Sequence, residues 1–166
     1  QEANPMMGYR GCARYIKEPE VFSMELQAIK KVREEYGMKN LWLMLPFVRR
    51  IGEIRAIWEL LKQNGIHKTR DFKLWIMVEV PSTVILIEDF CKEGIDGVSI
   101  GTNDLTQLIL GIDRDNSTIA SEFDERNAAV LKSIEHVIKT CSKYNITTSL
   151  CGQAPSIYPE FAEKLV

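Results

Sequence analysis

Four short strand-like runs, each followed by a helical pattern, constrain this 166-residue chain more than any other feature. Leu41-Trp42-Leu43-Met44-Leu45 is a continuous apolar run closed by Pro46, the pattern of a strand buried on both faces. Leu74 to Val80 is a second such run, closed by Pro81, and Val98-Ser99-Ile100 is a third. Thr147 to Leu150 is the last and ends at Cys151-Gly152.

The intervening segments carry helical spacing. Leu26, Ile29, Val32 and Tyr36 share one face of a helix expected from about Val21 to Tyr36, with Gly37 suited to its end. Ile54, Ile57, Trp58 and Leu61 mark a second helix that stops near Gly65. Ser82 is placed to cap a third, running to about Lys92. Leu105 to Leu110 outlines a short helix, and Val130, Ile134, Val137 and Cys141 a long one. The opening stretch from Asn4 to Gly11, with Pro5 and two glycines, reads as a loop.

Strands and helices that alternate with short connections imply parallel β/α units, in an open doubly wound sheet or a (β/α)8 barrel. About four units are present, too few to close a barrel, so the barrel reading needs further strands. The chain is therefore expected to be an incomplete piece of the fold. Its ends agree: the first residue is Gln1, and PEFAEKLV at 159–166 reads as an unfinished helix.

Composition excludes several functions. A share of 45% hydrophobic and 27% charged residues suits one soluble globular unit. A net charge of −2 gives no basic footprint for nucleic acid. No apolar run approaches the roughly 18 residues that cross a membrane. Cys12, Cys91, Cys141 and Cys151 show no metal-type spacing, and no signal-peptide layout precedes them. Reduced thiols and a cytoplasmic location are expected.

Both candidate architectures place their sites at the carboxyl ends of the strands. That rule selects Glu79, then Gly101, Thr102, Asn103 and Asp104, then Cys151, with Arg10 and Arg114 within reach on loops. Glu79 interrupts an apolar strand, and a buried carboxylate needs a cation, a basic partner or a titration partner. With Asp104 it could hold one Mg²⁺, which takes one or two carboxylates and leaves the rest to water and substrate. Alternatively, Glu79 pairs with a basic residue, and Asn103 and Asp104 merely cap a helix. Arg10 and Arg114 offer forked donors for phosphate or carboxylate. Cys151 is placed to transfer a proton to a bound substrate. The other cysteines read as small core residues. His67 and His136 receive no role.

These motifs, taken together, resemble the family of PEP-utilising enzymes. The likeness runs through NPMMGYRG (4–11), LMLPFVR (43–49), MVEVPS (77–82), SIGTNDLTQ (99–107), DRD (113–115) and CGQAPS (151–156). FDERN (123–127) with CGQ is most similar to the synthase branch, which converts ATP, pyruvate and water to phosphoenolpyruvate, AMP and phosphate. The alternatives are the pyruvate phosphate dikinase branch and the enzyme I type of phosphoryl carrier.

The resemblance implies that residues 1–166 form part of a carboxy-terminal (β/α)8 barrel for pyruvate or phosphoenolpyruvate. It implies Glu79 and Asp104 as Mg²⁺ ligands and Gly101 to Asp104 as substrate contacts. Arg10 and Arg114 become anion contacts, and Cys151 the proton-handling residue. It also implies a phosphohistidine domain and an ATP-binding domain elsewhere in the polypeptide, and a homo-oligomer formed through the barrel. Two further substrate arginines of the family precede the opening loop, so an isolated piece is expected to be inactive.

Overall fold

A computed structural model describes residues 2–163. Helices α1 (Cys12–Lys17) and α2 (Pro19–Glu34) lead into strand β1 (Leu43–Leu45) and helix α3 (Ile51–Gln63). Strand β2 (Leu74–Val78) is followed by α4 (Pro81–Ile85) and α5 (Ile87–Lys92), and β3 (Gly97–Gly101) by α6 (Thr102–Leu110). A 3-10 turn at Ala120–Glu122 precedes α7 (Ala128–Lys143), β4 (Thr147–Cys151), α8 (Ala154–Ile157) and α9 (Pro159–Glu163).

The four strands form one parallel sheet in the order β1-β2-β3-β4. Register runs Leu43 to Leu74, Trp75 to Gly97 and Gly97 to Thr147, and ends with Gly101 opposite Cys151. The sheet is open. Period-two alternation sends Leu43, Leu45, Leu74, Ile76, Val78, Val98 and Ile100 to one face, where all are buried. There they join Leu26, Ile54, Ile57, Leu61, Phe90, Val130, Ile134 and Val137 from the helices in a single core.

The opposite face carries Trp42 and Met44, exposed at 47% and 42%, beside half-buried Trp75 and Met77. Trp42 stacks on Trp75 with ring centroids 6.3 Å apart. Thr147, Ser149 and Cys151 continue this face, all exposed.

Several expectations need correction. The first strand is buried on one face only, because nothing among the described residues covers Trp42 and Met44. Helix α1 was not anticipated, and α2 starts at Pro19, a residue whose fixed φ suits a first turn. Tyr36 lies past the end of α2 and is exposed, and buried Phe22 takes its place on the core face. Ser82 caps nothing: its hydroxyl donates to the Arg49 carbonyl at 2.9 Å. The helix expected to run to Lys92 breaks at Leu86 (φ −100°, ψ 18°). Helix α6 begins at Thr102 rather than Leu105. Of the helix expected over 159–166, the part beyond Glu163 lies outside the described residues.

Candidate functional site

Each strand of the sheet ends at the same edge, and the chemistry collects there. After β1 and Pro46 the chain turns sharply, with Phe47 in the left-handed region at φ 50°. That conformation is costly for a bulky residue and is tolerated where the surroundings fix it. It aims the Phe47 N–H at Glu79, which accepts at Oε2 over 2.8 Å. Glu79 follows β2 beside Gly101, the last residue of β3. A Cβ at Gly101 would stand 2.5 Å from Glu79 Cγ, so a side chain there would evict the glutamate.

The opening loop closes over this corner. The Arg10 guanidinium lies 4.2 Å from the centroid of the Phe47 ring and donates to Asp104 Oδ2 at 3.0 Å. Arg49 also packs on Phe47, at 4.4 Å, and donates to the carbonyls of Gly8 and Arg10. One aromatic ring thus carries two cations, one aimed at the carboxylate and one holding the loop.

Burial lifts the Glu79 carboxyl above the usual carboxylate range. The Phe47 N–H opposes the lift, Asp104 adds to it by like-charge repulsion, and Arg10 counters that. The repulsion felt by Glu79 places the Asp104 carboxylate near it at this corner. Among the described residues no hydrogen bond reaches Glu79 Oε1 or Asp104 Oδ1. This oxygen-only pair fits Mg²⁺, for which water and substrate complete the shell. No group of three or more His, Cys, Asp or Glu side chains among the described residues offers a closed protein cage instead.

Cys151 ends β4 on the same face. Ser99 Oγ donates to its sulfur at 3.3 Å, and the Ile100 carbonyl lies 3.6 Å away. The thiol is exposed, whereas Cys12, Cys91 and Cys141 are buried.

The structure therefore gathers Arg10, Glu79, Gly101, Asp104 and Cys151 at one edge. Asn103 is half-buried in the first turn of α6. The simple capping alternative is not what is seen, since the N-cap of α6 is Gly101 and no side chain caps it. Nor is Glu79 an ordinary ion-pair residue, because its bonded partner is a backbone N–H.

Thr102 is fully buried, and its hydroxyl donates to Glu125 rather than facing outward. Arg114 is not brought in: it is exposed, and among the described residues its backbone N–H alone is engaged, donating to Gln107 Oε1 at 3.0 Å. A cleft of about 690 Å³ opens beside Arg10 between Asn4, Met6, Gln107 and Asp113, but Glu79, Asp104 and Cys151 do not line it.

Four contributors were missed. Phe47 and Arg49 follow the end of β1, so the strand-end rule selects them once it is applied there too. Ser99 is found by alternation, two residues before Gly101. Glu125 has no local signal, because only tertiary folding brings it under Thr102.

All 166 residues match the family model described as "PEP-utilising enzyme, PEP-binding domain". The chain is 54% identical to the phosphoenolpyruvate synthase of Aeropyrum pernix over 170 residues, covering 99% of this chain and 20% of that protein. It is 47% identical to the phosphoenolpyruvate synthase of Helicobacter pylori, covering 99% of this chain and 21% of the relative. A probable phosphoenolpyruvate synthase of Methanocaldococcus jannaschii is 48% identical, with 99% and 14% covered. The chain thus spans about a fifth or less of the length of these relatives. On the match along its whole length, the chain belongs to the PEP-utilising enzyme family, within the PEP-binding domain.

Proposed function

We propose that this chain forms part of the pyruvate and phosphoenolpyruvate site of a phosphoenolpyruvate synthase. The reaction is ATP, pyruvate and water giving phosphoenolpyruvate, AMP and phosphate. The observation that carries it is the convergence of Glu79, Asp104, Arg10 and Cys151 at one sheet edge, in a chain so similar to synthases.

The architecture we infer is a (β/α)8 barrel completed by other parts of a longer polypeptide. Two facts support it. Sequential order without reversal means every right-handed crossover steps the same way, which puts all helices on one face. The other face bears Trp42, Met44, Trp75 and Met77, an apolar lining suited to a barrel interior. A doubly wound sheet would cover both faces.

In the synthetic direction, Cys151 takes a proton from the methyl carbon of pyruvate, leaving an enolate. The enolate oxygen attacks the phosphorus of a phosphohistidine on another domain; the P–N bond breaks and histidine leaves. Arg10, pre-oriented on Phe47, binds the incoming phosphoryl or the carboxylate. Mg²⁺ on Glu79 and Asp104 would offset charge on the substrate oxygens. Asn103, half-exposed beside them, supplies a polar contact to substrate. Arg114 joins as an anion contact only if its loop closes. We place the protein in the cytoplasm with reduced thiols, as a homo-oligomer through this domain. Among the described residues no helix is long and apolar enough to cross a membrane.

The test is the complete polypeptide with ATP and pyruvate. AMP and released phosphate are expected, with activity lost on Cys151→Ala or Glu79→Gln, and none from residues 1–166 alone. Phosphate consumed instead of released points to the dikinase, and transfer to a small carrier protein to the enzyme I type. Full activity in either variant would remove this mechanism.

A further inference from the structure

The segment FDERN has no part in the chemistry above, yet Glu125, Arg126 and Asn127 each bind it to a neighbouring element. Glu125 is 5% exposed and accepts the hydroxyl of Thr102, itself wholly buried at the start of α6. Gly152, the residue after the reactive thiol, lies directly on that pair: a Cβ there would fall 1.9 Å from Thr102 Oγ1 and 3.2 Å from Glu125 Oε1.

Arg126 points the other way. It bonds Asp124 at 2.9 Å, lies 4.0 Å from the Tyr158 ring centroid and reaches Glu160 at 3.7 Å. Asn127 anchors the segment by capping α7 through the Ala129 N–H at 2.9 Å. Residues 124–127 therefore grip the chain after Cys151 at three points, Gly152, Tyr158 and Glu160.

The physical consequence falls on the thiol. Cys151 is the last residue in register, opposite Gly101, so the sheet fixes it on one side only. Beyond it the backbone leaves the ladder, and its direction is set by what Gly152 rests on. A hydroxyl bonded to a buried acceptor oxygen is a directional support, and it locks the Thr102 rotamer that forms the resting surface.

We propose that Glu125 is a positioning residue: through Thr102 and Gly152 it holds the Cys151 sulfur at the height of the Glu79–Asp104 corner. The activity arm of the test rests on the pyruvate reading above; the chemical arm does not.

The experiment uses the complete polypeptide carrying Glu125→Leu, Glu125→Asp, Glu125→Gln, Thr102→Val or Thr102→Ser. Turnover with pyruvate is measured alongside the rate at which iodoacetamide alkylates Cys151, read on its peptide by mass spectrometry. Glu125→Leu and Thr102→Val are expected to lower kcat roughly 10- to 100-fold with KM for pyruvate within about 3-fold, the scale of losing an orienting partner.

Their Cys151 alkylation rates should shift as well. Glu125→Gln and Thr102→Ser keep the acceptor or the hydroxyl and should restore both readouts. Glu125→Asp, one methylene shorter with the same acceptor group, should show an intermediate loss; it decides the matter if Glu125→Leu does not fold. A fall in thermal stability with kcat and alkylation unchanged would mean a merely structural carboxylate and would overturn the proposal. A wild-type protein without AMP-forming activity would instead strike the functional reading, and alkylation would still judge Glu125.

Discussion

The two faces of the sheet come from the same four strands yet divide the labour of the molecule. One face is sealed by helices: Leu45, Leu74, Ile76, Val78 and Val98 are fully buried there. The other shows Trp42 and Met44 at roughly half exposure and ends in Glu79, Gly101 and Cys151. That these last three share a face is fixed by contact, since Gly101 abuts Glu79 and Ser99 bonds Cys151. Alternation along a strand thus separates residues that pack in the core from those that line the open face, although they are sequence neighbours. Val78 and Glu79 are one residue apart, yet Val78 packs in the core and Glu79 abuts Gly101.

The sealed face gives the largest expected loss of stability. Ile76→Ala should lower the unfolding free energy of the complete polypeptide by about 2–5 kcal/mol, the usual cost of an emptied core position. Chemical denaturation followed at this domain measures it. A loss under about 1 kcal/mol would mean that the core relaxes around the gap and is not close-packed.

Met44→Ala tests the contrast itself. A methionine facing water costs under about 1 kcal/mol to truncate, whereas one inside a completed barrel costs about 2–5 kcal/mol. We expect the second result in the complete polypeptide, so the difference between the faces should largely vanish there. A near-neutral Met44→Ala would leave the face in water and end the barrel proposal.

The sequence carried the arrangement of elements well, because period-two and period-3.6 patterns follow directly from which side of an element meets the core. Val130, Ile134, Val137 and Cys141 are all buried on α7 as their spacing requires. Trp42 and Met44 misled for a related reason. A run apolar at every position is the signature of a strand covered on both faces, whereas among the described residues nothing covers the second face.

At the site, Glu79, Asp104 and Cys151 were legible as polar residues stranded at strand ends. The neighbours that tune them were less so. Phe47 reaches Glu79 through a backbone N–H set by a left-handed turn, which no side-chain pattern announces. Glu125 acts across 23 residues of chain on Thr102, a pairing no local pattern encodes. Leu86, where the helix breaks between α4 and α5, is an ordinary helix former, so that break too is set by packing rather than propensity.

The smallest expected effect concerns the cost of placing Glu79 where it is. Its folded-state carboxyl is lifted, mainly by burial, so between the ordinary carboxylate range and that raised value the native state binds more protons than the unfolded one. Stability therefore falls as pH rises through that window and levels off above it. Glu79→Gln carries no such penalty. Measured without divalent cations, its Tm should exceed that of the wild type at pH 8, and the gap should narrow towards pH 4, where both side chains are neutral. Each kcal/mol corresponds to about 2–4 °C for a domain of this size. A gap that stays constant with pH, or widens as pH falls, would show that Glu79 is not the titrating group. Added Mg²⁺ sharpens the same measurement, because a ligand that binds only the native state stabilises it by mass action. The cation should raise the wild-type Tm at pH 8 and leave Glu79→Gln nearly unmoved, reversing their order. That reversal would tie the destabilised carboxylate on the open face to the ion it is proposed to hold.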